Sequence, residues 1–232
     1  MAKISVCMAT YNGASFIREQ IESILPQLEP DDEIIFSDDG STDSTLQVIA
    51  DYHEKRFKVF QHTRTGSPAR SFEKGLRQCT GELIFLTDQD DIWMPEKVSR
   101  MKHYLQSYDL VLTDCSVINE NKEQLTGSFF KKQKSKKGLI PNLVQNSYMG
   151  CCMAFNRKVL EKALPFPVNL SAHDQWIGLI AERFYNVHFL PEPLVWYRRH
   201  NQNYSFTGGK SSFSLLKKIN HRLTMINNLY NR

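Results

Sequence analysis

The pattern of hydrophobic and polar positions in the first 108 residues predicts a repeated succession of strand and helix. Residues 3–10, KISVCMAT, alternate like a half-buried strand, and the apolar positions within residues 16–28 recur at helical spacing. The same succession follows at 32–55, 58–79 and 81–105. Four such units in sequence are typical of an α/β fold, in which helices cover both faces of a mostly parallel central sheet.

Beyond about residue 109 the pattern is less regular. Residues 108–118 indicate one or two strands, residues 149–164 a strand that leads into a helix, and residues 173–184 another helix. Residues 206–232 predict a C-terminal amphipathic helix. Its apolar stripe would contain Phe213, Leu216, Ile219 or Asn220, Leu223, Ile226 and Tyr230, with Lys217, Lys218, His221 and Arg222 elsewhere.

The composition is that of a globular protein. Of the 232 residues, 41% are hydrophobic and 23% are charged, and no apolar run is long enough to cross a bilayer. The N-terminal residues lack the features of a signal peptide, so we expect a cytoplasmic protein. The five cysteines are odd in number and lack the CxxC or Cys/His spacing of metal sites, which predicts reduced core residues.

The net charge of +4 conceals a local concentration of cations. Five lysines lie within residues 131–137, and residues 205–232 contain no acidic residue. The basic tail helix has two interpretations: it packs on its own domain, or it lies in a membrane interface. The lysine cluster favours contact with the anionic inner face of a membrane, and we expect no nucleic acid partner.

Acidic residues gather where the fourth predicted strand ends. Within residues 85–98, FLTDQDDIWMPEKV, Asp88 and Asp90 are two positions apart, so in an extended segment both side chains can approach one divalent cation. An EF-hand is excluded, because Trp93 would stand at the turn glycine and Ser99 at the bidentate glutamate. The alternative is that these acids cap the following helix, although three exceed the needs of one cap.

The ends of the first two strands carry further polar groups. Asp38 and Asp39 close the second strand, where a carboxylate can accept an N–H from a nucleobase or approach a ribose. Tyr11 at the end of the first strand offers a ring for stacking on a base, or is only a packing residue. Because ligands of parallel sheets bind at the carboxyl ends of the strands, we expect these groups to converge.

Five motifs together resemble the family 2 glycosyltransferases over residues 3–203: ATYNG, SDDGSTD, TDQDDIWMPEK, HDQW and EPLVWYRRHNQN. The resemblance implies the GT-A fold, a Rossmann-like sheet flanked by helices. It implies a domain at 1–205, with a nucleotide-sugar-binding half at about 1–108 and an acceptor half at about 109–205, followed by the tail at 206–232. It also implies inverting sugar transfer from a nucleotide diphosphate donor, assisted by Mn²⁺ or Mg²⁺.

The same resemblance implies roles for individual residues. Thr10, Tyr11 and Asp39 would hold the base and ribose. Asp90, with Asp88 nearby, would bind the metal, Asp88 also lying next to the nucleotide. Asp174 of HDQW falls where the family places its catalytic base, although an acid at the start of a helix is often an N-cap.

Further candidates have weaker support. Arg70 lies at a helix start, where a basic residue can meet the donor phosphates or simply face solvent. His200 is a candidate metal or phosphate contact. Asp91, Trp93 and Trp176 are candidate acceptor or sugar contacts, and either tryptophan is equally well explained as a core residue.

The resulting hypothesis is transfer of a hexose from a UDP- or dTDP-linked donor to a saccharide or lipid-linked saccharide in bacterial surface polysaccharide biosynthesis, such as O-antigen or capsule. One alternative is a sugar-nucleotide nucleotidyltransferase, but that class carries a glycine-rich basic loop after the first strand, and this chain has TYNGAS. Another alternative is a non-catalytic nucleotide or saccharide binder of the same fold. Donor identity depends on pocket geometry that sequence does not reveal.

Overall fold

The computed structural model describes residues 2–168, 170–201, 203 and 215–232. Its strands are β1 Ile4–Thr10, β2 Glu33–Asp38, β3 Phe57–Gln61, β4 Leu83–Asp88, β5 Ile92–Trp93, β6 Leu110–Asn119, β7 Gln124–Thr126, β8 Met153–Asn156 and β9 Val187–Arg199. Its helices are α1 Ile17–Ile24, α2 Thr45–Ala50, α3 Pro68–Leu76, α4 Lys97–Tyr104, α5 Phe129–Gln133, α6 Leu139–Val144, α7 Arg157–Ala163, α8 His173–Phe184 and α9 Leu215–Tyr230, with short 3₁₀ helices at Leu25–Gln27 and Gly150–Cys152.

All of these strands join one sheet, in the order β3-β2-β1-β4-β8-β6-β9-β5, with β7 paired to β6. Strands β3, β2, β1 and β4 are mutually parallel, and β6 and β9 run in the same direction. Strand β8 is inserted antiparallel between β4 and β6, and β5 and β7 are also antiparallel to their neighbours. The predicted α/β fold with a mostly parallel sheet is confirmed.

The core lies on both faces of the parallel strands. Every residue of β2 is buried, and β1 and β4 are buried along nearly their whole length, as expected for a sheet covered by helices on each side. Helix α3 approaches this sheet closely at Gly75, where a Cβ would lie 2.8 Å from the Cys7 sulfur and 2.9 Å from the Ser37 Cβ. The five cysteines are buried and free, as predicted.

The carboxyl ends of the parallel strands lie side by side. Thr10 is in register with Asp38, Ala9 with Asp88, and Asp38 with Gln61. The backbone N–H of Asp39 donates to the Thr10 carbonyl at 2.8 Å and so ties the first two strand ends together. The segments that follow β1, β2, β3 and β4 therefore meet at one edge of the sheet.

Helix α9 packs against the domain, contacting α6 and α8. Met225 and Leu229 are buried, whereas Leu223 and Tyr230 are 58% and 72% exposed. The predicted stripe positions Leu223 and Tyr230 therefore do not pack on the domain, which α9 contacts through Met225 and Leu229 instead. The predicted stripe at Phe213 and the side chains of 215–221 lie outside the described residues. Within the described part, the helices are too short or too polar to cross a membrane.

A buried carboxylate, Glu33, joins the amino ends of three neighbouring segments. It accepts hydrogen bonds from the Ser5 hydroxyl at 2.5 Å and the Thr80 N–H at 2.7 Å, and it pairs with the Lys58 ammonium at 2.6 Å. Burial opposes ionisation, but the hydrogen bonds from Lys58, Ser5 and Thr80 outweigh it and lower the Glu33 pKa to about 2. The ionised form of Glu33 therefore stabilises the fold.

We expect Glu33→Gln to reduce the free energy of unfolding by about 2 kcal/mol at neutral pH, because hydrogen bonds to a buried charge are lost. The contribution is present above the unfolded pKa of about 4.3 and disappears as pH falls toward 2, since the folded-state pKa is the lower one. Urea unfolding at pH 7 measures the effect, with Glu82→Gln at an exposed position as the control. Equal stability of both variants would contradict this role of Glu33.

Candidate functional site

A cavity of about 690 Å³ lies at the carboxyl edge of the sheet. Its lining unites side chains from segments far apart in the sequence: Thr10, Tyr11, Asp39, Asp88, Asp90 and Asp174. The convergence expected from the strand ends is therefore present in the structure. A further part of the lining comes from residues 129–150, including Phe129, Gln133, Asn146 and Tyr148.

Tyr11 is held in place at one end of this cavity. The Gln89 side chain accepts from the Tyr11 N–H at 2.9 Å and donates to the Tyr11 carbonyl at 3.0 Å. The Arg64 guanidinium lies 4.2 Å from the centre of the Tyr11 ring. Neither Gln89 nor Arg64 was predicted from the sequence. Arg64 follows the carboxyl end of β3, and this position after a parallel strand could have predicted that it lies at the cavity.

Asp39 organises the loop that carries Arg64. Its carboxylate accepts from the Thr65 N–H at 2.6 Å, the Thr65 hydroxyl at 2.9 Å and the Gly66 N–H at 2.9 Å. Gly66 has a φ of 65°, a left-handed conformation that glycine adopts without strain. Asp39 thus shapes the loop beside Tyr11 while still lining the cavity.

The Thr10 side chain is engaged in a similar way. Its hydroxyl donates to the Asp38 carboxylate at 2.9 Å, and Asp38 is completely buried. Asp38 also accepts from the Ser41 N–H at 2.9 Å, which fixes the turn after β2. Thr10 therefore lies at the cavity as part of the network that joins the β1 and β2 ends.

Three carboxylates crowd the end of β4. Burial, and then the negative charges of Asp90 and Asp174, raise the pKa of Asp88 to about 7. Burial, followed by Asp90 and Asp88, raises the pKa of Asp91 well above its usual range. One Asp91 oxygen, Oδ2, is buried and has no hydrogen-bond partner among the described residues. The surrounding protein therefore compensates negative charge in this cluster only poorly.

This donor set fits a hard divalent cation. Ligand atoms of Asp88, Asp91 and Cys151 lie within 4.8 Å of one another, and Asp90 lines the same cavity. Carboxylate oxygens are the ligands that Mg²⁺ and Mn²⁺ prefer. The Cys151 thiol is a poor ligand here, because its hydrogen bond with Cys152 and its burial raise its pKa well above the usual range. Asp88 and Asp90, which line the cavity, are therefore the ligands that suit such an ion, whereas Asp91 is not among the lining residues.

The last described residues of the domain hold Asp90. His200 Nε2 lies 2.7 Å from Asp90 Oδ2, and the Asn203 amide donates to the same oxygen at 3.2 Å. The His200 ring also stacks on Phe16 at 4.4 Å. Beneath it, the buried Arg198 donates to the Asp90 carbonyl at 2.9 Å and pairs with Glu19. His200 therefore touches the acid cluster through Asp90, and its role as a metal contact stays a prediction.

A buried cation, Lys97, lies beneath the acid cluster. Its ammonium donates to the Cys151 carbonyl at 2.6 Å and lies 3.8 Å from the centre of the Trp93 ring. Burial lowers its pKa to about 8, although Cys152, Cys151 and Asp91 favour its charged form. The positive charge of Lys97 partly offsets the negative charge of an ionised Asp88. No function was predicted for this lysine, because lysines usually lie at the protein surface.

Asp174 lies in the first turn of α8, facing the acid cluster across the cavity. Ala172, and not Asp174, occupies the N-cap position, so the N-cap alternative is not supported. Burial raises the Asp174 pKa to about 6, against the opposing hydrogen bonds from the Gln175 N–H and Asn146. At neutral pH the carboxylate is thus mostly ionised but only weakly stabilised, which suits a proton acceptor.

The neighbouring His173 also lines the cavity. Its ring stacks on Phe72 at 4.1 Å, and burial lowers its pKa to about 3, so the imidazole is neutral. Its Nε2 has no partner among the described residues. His173 therefore fixes the start of α8 by packing, and it does so without a charge.

Several predicted contacts need correction. Trp93 and Trp176 are 2% and 0% exposed, and their ring N–H groups donate to Thr87 Oγ1 and the Ala163 carbonyl, so they pack in the core and do not form walls for a sugar. Asp91 is 1% exposed and accepts from the Arg198 N–H, which places it beneath the cavity and away from an acceptor. Arg70 donates hydrogen bonds to Glu73 and the Pro167 carbonyl and is not among the residues that line the cavity. The arginine in that lining is Arg64.

Comparison with known proteins identifies the family. The model of the family described as "Glycosyl transferase family 2" matches residues 5–164. An uncharacterized glycosyltransferase of Nostoc sp. is 28% identical over 99% of this chain and 74% of its own length. The dTDP-rhamnosyl transferase RfbG of Shigella flexneri is 26% identical over 97% of this chain and 81% of its own. The Escherichia coli protein WfgD, named as a UDP-Glc:alpha-D-GlcNAc-diphosphoundecaprenol beta-1,3-glucosyltransferase, is 24% identical over 77% of this chain and 70% of its own.

Solved structures agree on the fold. Residues 1–349 of Staphylococcus aureus TarS, in complex with UDP-GlcNAc, superpose with a TM-score of 0.76 at 22% identity, over 97% of this chain and 67% of TarS 1–349. The mannosyltransferase PcManGT of Pyrobaculum calidifontis, in complex with GDP-Man and Mn²⁺, gives a TM-score of 0.68 at 22% identity, over 88% of this chain and 59% of its own. The chain therefore belongs to glycosyl transferase family 2, with the GT-A fold, and is a nucleotide-sugar-dependent glycosyltransferase.

Proposed function

We propose that the chain transfers a hexose, with inversion, from a UDP- or dTDP-linked donor to a saccharide or lipid-linked saccharide in surface polysaccharide biosynthesis. The observation that carries the proposal is the meeting of Asp39, Asp88, Asp90 and Asp174 at one cavity. The substrate classes are supported by two relatives: WfgD is named for a UDP-Glc donor and a diphosphoundecaprenol acceptor, and RfbG for a dTDP-linked sugar.

The nucleotide binds at the β1, β2 and β3 ends. A base stacks on the Tyr11 ring, whose other contact is the Arg64 guanidinium, and Thr10 closes the same edge. Asp39 holds the 64–66 loop around the ribose. Residues 1–108 form the nucleotide-sugar-binding half and residues 109–205 the acceptor half, with the tail at 206–232 as a separate element.

Asp88 and Asp90 would hold a divalent cation, Mn²⁺ or Mg²⁺. When bound, this ion supplies positive charge that stabilises the leaving diphosphate more in the transition state than in the ground state. His200 and Asn203 keep the Asp90 carboxylate turned toward the cavity. Lys97 and Arg198 limit the electrostatic cost of gathering three acids in a buried place.

Asp174 acts as the general base. The acceptor hydroxyl oxygen forms a bond to the anomeric carbon from the face opposite the diphosphate, while the bond from that carbon to the phosphate oxygen breaks. The hydroxyl proton passes to Asp174, and the electron pair of the broken bond leaves with the nucleoside diphosphate. Attack from the opposite face inverts the anomeric configuration.

A donor screen tests the proposal. Purified protein is incubated with Mn²⁺, a saccharide acceptor mixture and UDP-glucose, UDP-galactose, UDP-N-acetylglucosamine or dTDP-rhamnose, and released nucleoside diphosphate is measured. We expect metal-dependent release from at least one donor, together with a glycosylated product. Release of pyrophosphate from nucleoside triphosphate and sugar phosphate would instead indicate a nucleotidyltransferase, and tight binding without turnover would indicate a non-catalytic binder.

The Asp174 pKa predicts the acid limb of the pH profile. Because only the ionised carboxylate accepts a proton, kcat at saturating donor and Mn²⁺ should rise as pH passes through about 6 and then level off. Donor binding, measured by calorimetry over the same pH range at saturating Mn²⁺, is the control. A kcat that stays constant from pH 5 to pH 8 would contradict the assignment of Asp174 as base.

A further inference from the structure

Residues 129–148, here called the basic segment, form one wall of the cavity. Phe129, Gln133, Asn146 and Tyr148 of this segment are among its lining residues. The segment also lies next to Asp174, since Asn146 hydrogen-bonds the Asp174 carboxylate and both residues line the cavity. The basic segment therefore borders the part of the cavity that contains Asp174.

The outer side of the basic segment carries a dense positive charge. Lys131, Lys132, Lys134, Lys136 and Lys137 are all exposed. None of the five forms an ion pair with an acidic residue in the described part of the chain. Their charge is therefore available to an external anionic partner.

Exposed apolar side chains lie beside these lysines. Ile140 and Val144, on the α6 helix of the basic segment, are 73% and 62% exposed. Helix α9 packs next to α6, with the Arg222 guanidinium donating to the Val144 carbonyl at 2.8 Å, and its Leu223 is 58% exposed. Three large aliphatic side chains are thus exposed on two helices that contact each other, and the five lysines shortly precede the first of these helices in the chain.

This combination matches one kind of partner. Anionic phospholipid headgroups attract clustered lysines, and aliphatic side chains at the same level enter the boundary between headgroups and acyl chains. A nucleic acid would satisfy the lysines but leave Ile140, Val144 and Leu223 in water. An apolar protein partner would bury those three but leave the lysines without counter-charge.

We propose that the basic segment, together with Leu223 of α9, docks on an anionic membrane surface and so places the mouth of the cavity at the level of the lipid headgroups. As far as the acceptor is concerned, the inference rests on the proposed transfer to a lipid-linked saccharide. A sugar attached to a membrane lipid through a diphosphate then reaches Asp174 along the wall formed by residues 129–148. The docking surface is the wall of the acceptor half, and α9 contributes one edge of it.

Vesicle binding by the full chain tests the surface. We expect cosedimentation with phosphatidylglycerol-rich vesicles and little with pure phosphatidylcholine, at low salt. Lys136→Gln with Lys137→Gln should weaken binding at least tenfold, since each lysine near an anionic surface contributes about fivefold. The matched control is Lys55→Gln with Lys74→Gln, two exposed lysines elsewhere. Equal weakening by both pairs, or no binding by the parent chain, would overturn the proposal.

The apolar part has its own test. Ile140→Ser with Val144→Ser should weaken vesicle binding, whereas Val59→Ser with Phe60→Ser, at 45% and 37% exposed positions on β3, should not. Because all four positions are exposed, folding should be retained, and circular dichroism checks this. Self-association of the parent chain that the Ile140 and Val144 changes abolish, without an effect on vesicle binding, would assign the surface to a second copy and reject the lipid surface.

Activity separates this inference from the proposed function. In vesicles, the Lys136 and Lys137 changes should reduce transfer to a lipid-linked acceptor but leave transfer to a water-soluble acceptor analogue unchanged. If the parent chain transfers to neither acceptor yet binds vesicles, the proposed function fails and the docking surface stands. If it transfers to both acceptors equally well in the parent and in the lysine variant, the docking surface fails and the proposed function stands.

Discussion

Asp174→Asn is expected to reduce kcat for sugar transfer about 10³-fold while leaving nucleoside diphosphate affinity within about twofold. An asparagine keeps the size and the hydrogen-bond acceptor that meets the Gln175 N–H, but it cannot take up the acceptor proton, and general base catalysis contributes about 10²- to 10⁴-fold. Since the nucleotide end of the cavity is built from β1, β2 and β3, its affinity should not depend on this change. Steady-state transfer and calorimetric titration with UDP or dTDP give the two quantities.

The matched control for this change is Asp51→Asn, which makes the same substitution at an exposed position after α2. It should leave both kcat and affinity unaltered. An Asp174→Asn variant that transfers sugar at the parent rate would show that another residue is the base. A variant that loses donor affinity along with turnover would assign Asp174 to donor binding.

Asp90→Asn is expected to abolish metal-dependent turnover, with kcat/KM falling about 10²-fold or more. The change removes a negative charge from the cation ligands and leaves His200 and Asn203 facing a neutral amide. Because charge stabilisation of the leaving group is lost, the loss should appear in donor affinity and in turnover together. The measurement is kcat/KM as a function of Mn²⁺ concentration.

Asp91 supplies a control that lies one residue away. It is buried beneath the cavity and bonded to the Arg198 backbone, so Asp91→Asn should change the stability of the fold more than the Mn²⁺ dependence. Thermal unfolding separates the two effects. An identical Mn²⁺ dependence in the parent chain and in Asp90→Asn would contradict the assignment of Asp90 as a metal ligand.

The parallel half of the sheet follows from local sequence, and the other half does not. Within residues 3–105, each strand and its helix are neighbours in the chain, so hydrophobic period alone predicts them. Strand β8 instead enters between β4 and β6 through pairs such as Leu83 with Asn156, which lie far apart in the sequence. No local pattern reports such a pairing, and it was not predicted.

The site shows the same division. The acids at strand ends were predicted because the carboxyl edge of a parallel sheet collects them whatever the details of the loops. For Trp93 and Trp176 the core alternative is the one that the structure shows, and the sequence left it open because adjacency to Asp91 and Asp174 does not determine which way a ring faces. Lys97 and Arg198 were missed as buried charges, since their partners Cys151 and Glu19 come from distant segments.

The central proposal is that carboxylates from distant segments hold a cation and a nucleoside diphosphate in one cavity. The most direct test is calorimetric titration of the full chain with UDP and with dTDP, in Mn²⁺ and in EDTA, for the parent chain and for Asp88→Asn. The account predicts that at least one nucleotide binds in Mn²⁺, and that EDTA or the Asp88 change weakens this binding at least tenfold. Binding of the same strength in all of these conditions, or no binding of either nucleotide in Mn²⁺, would contradict it.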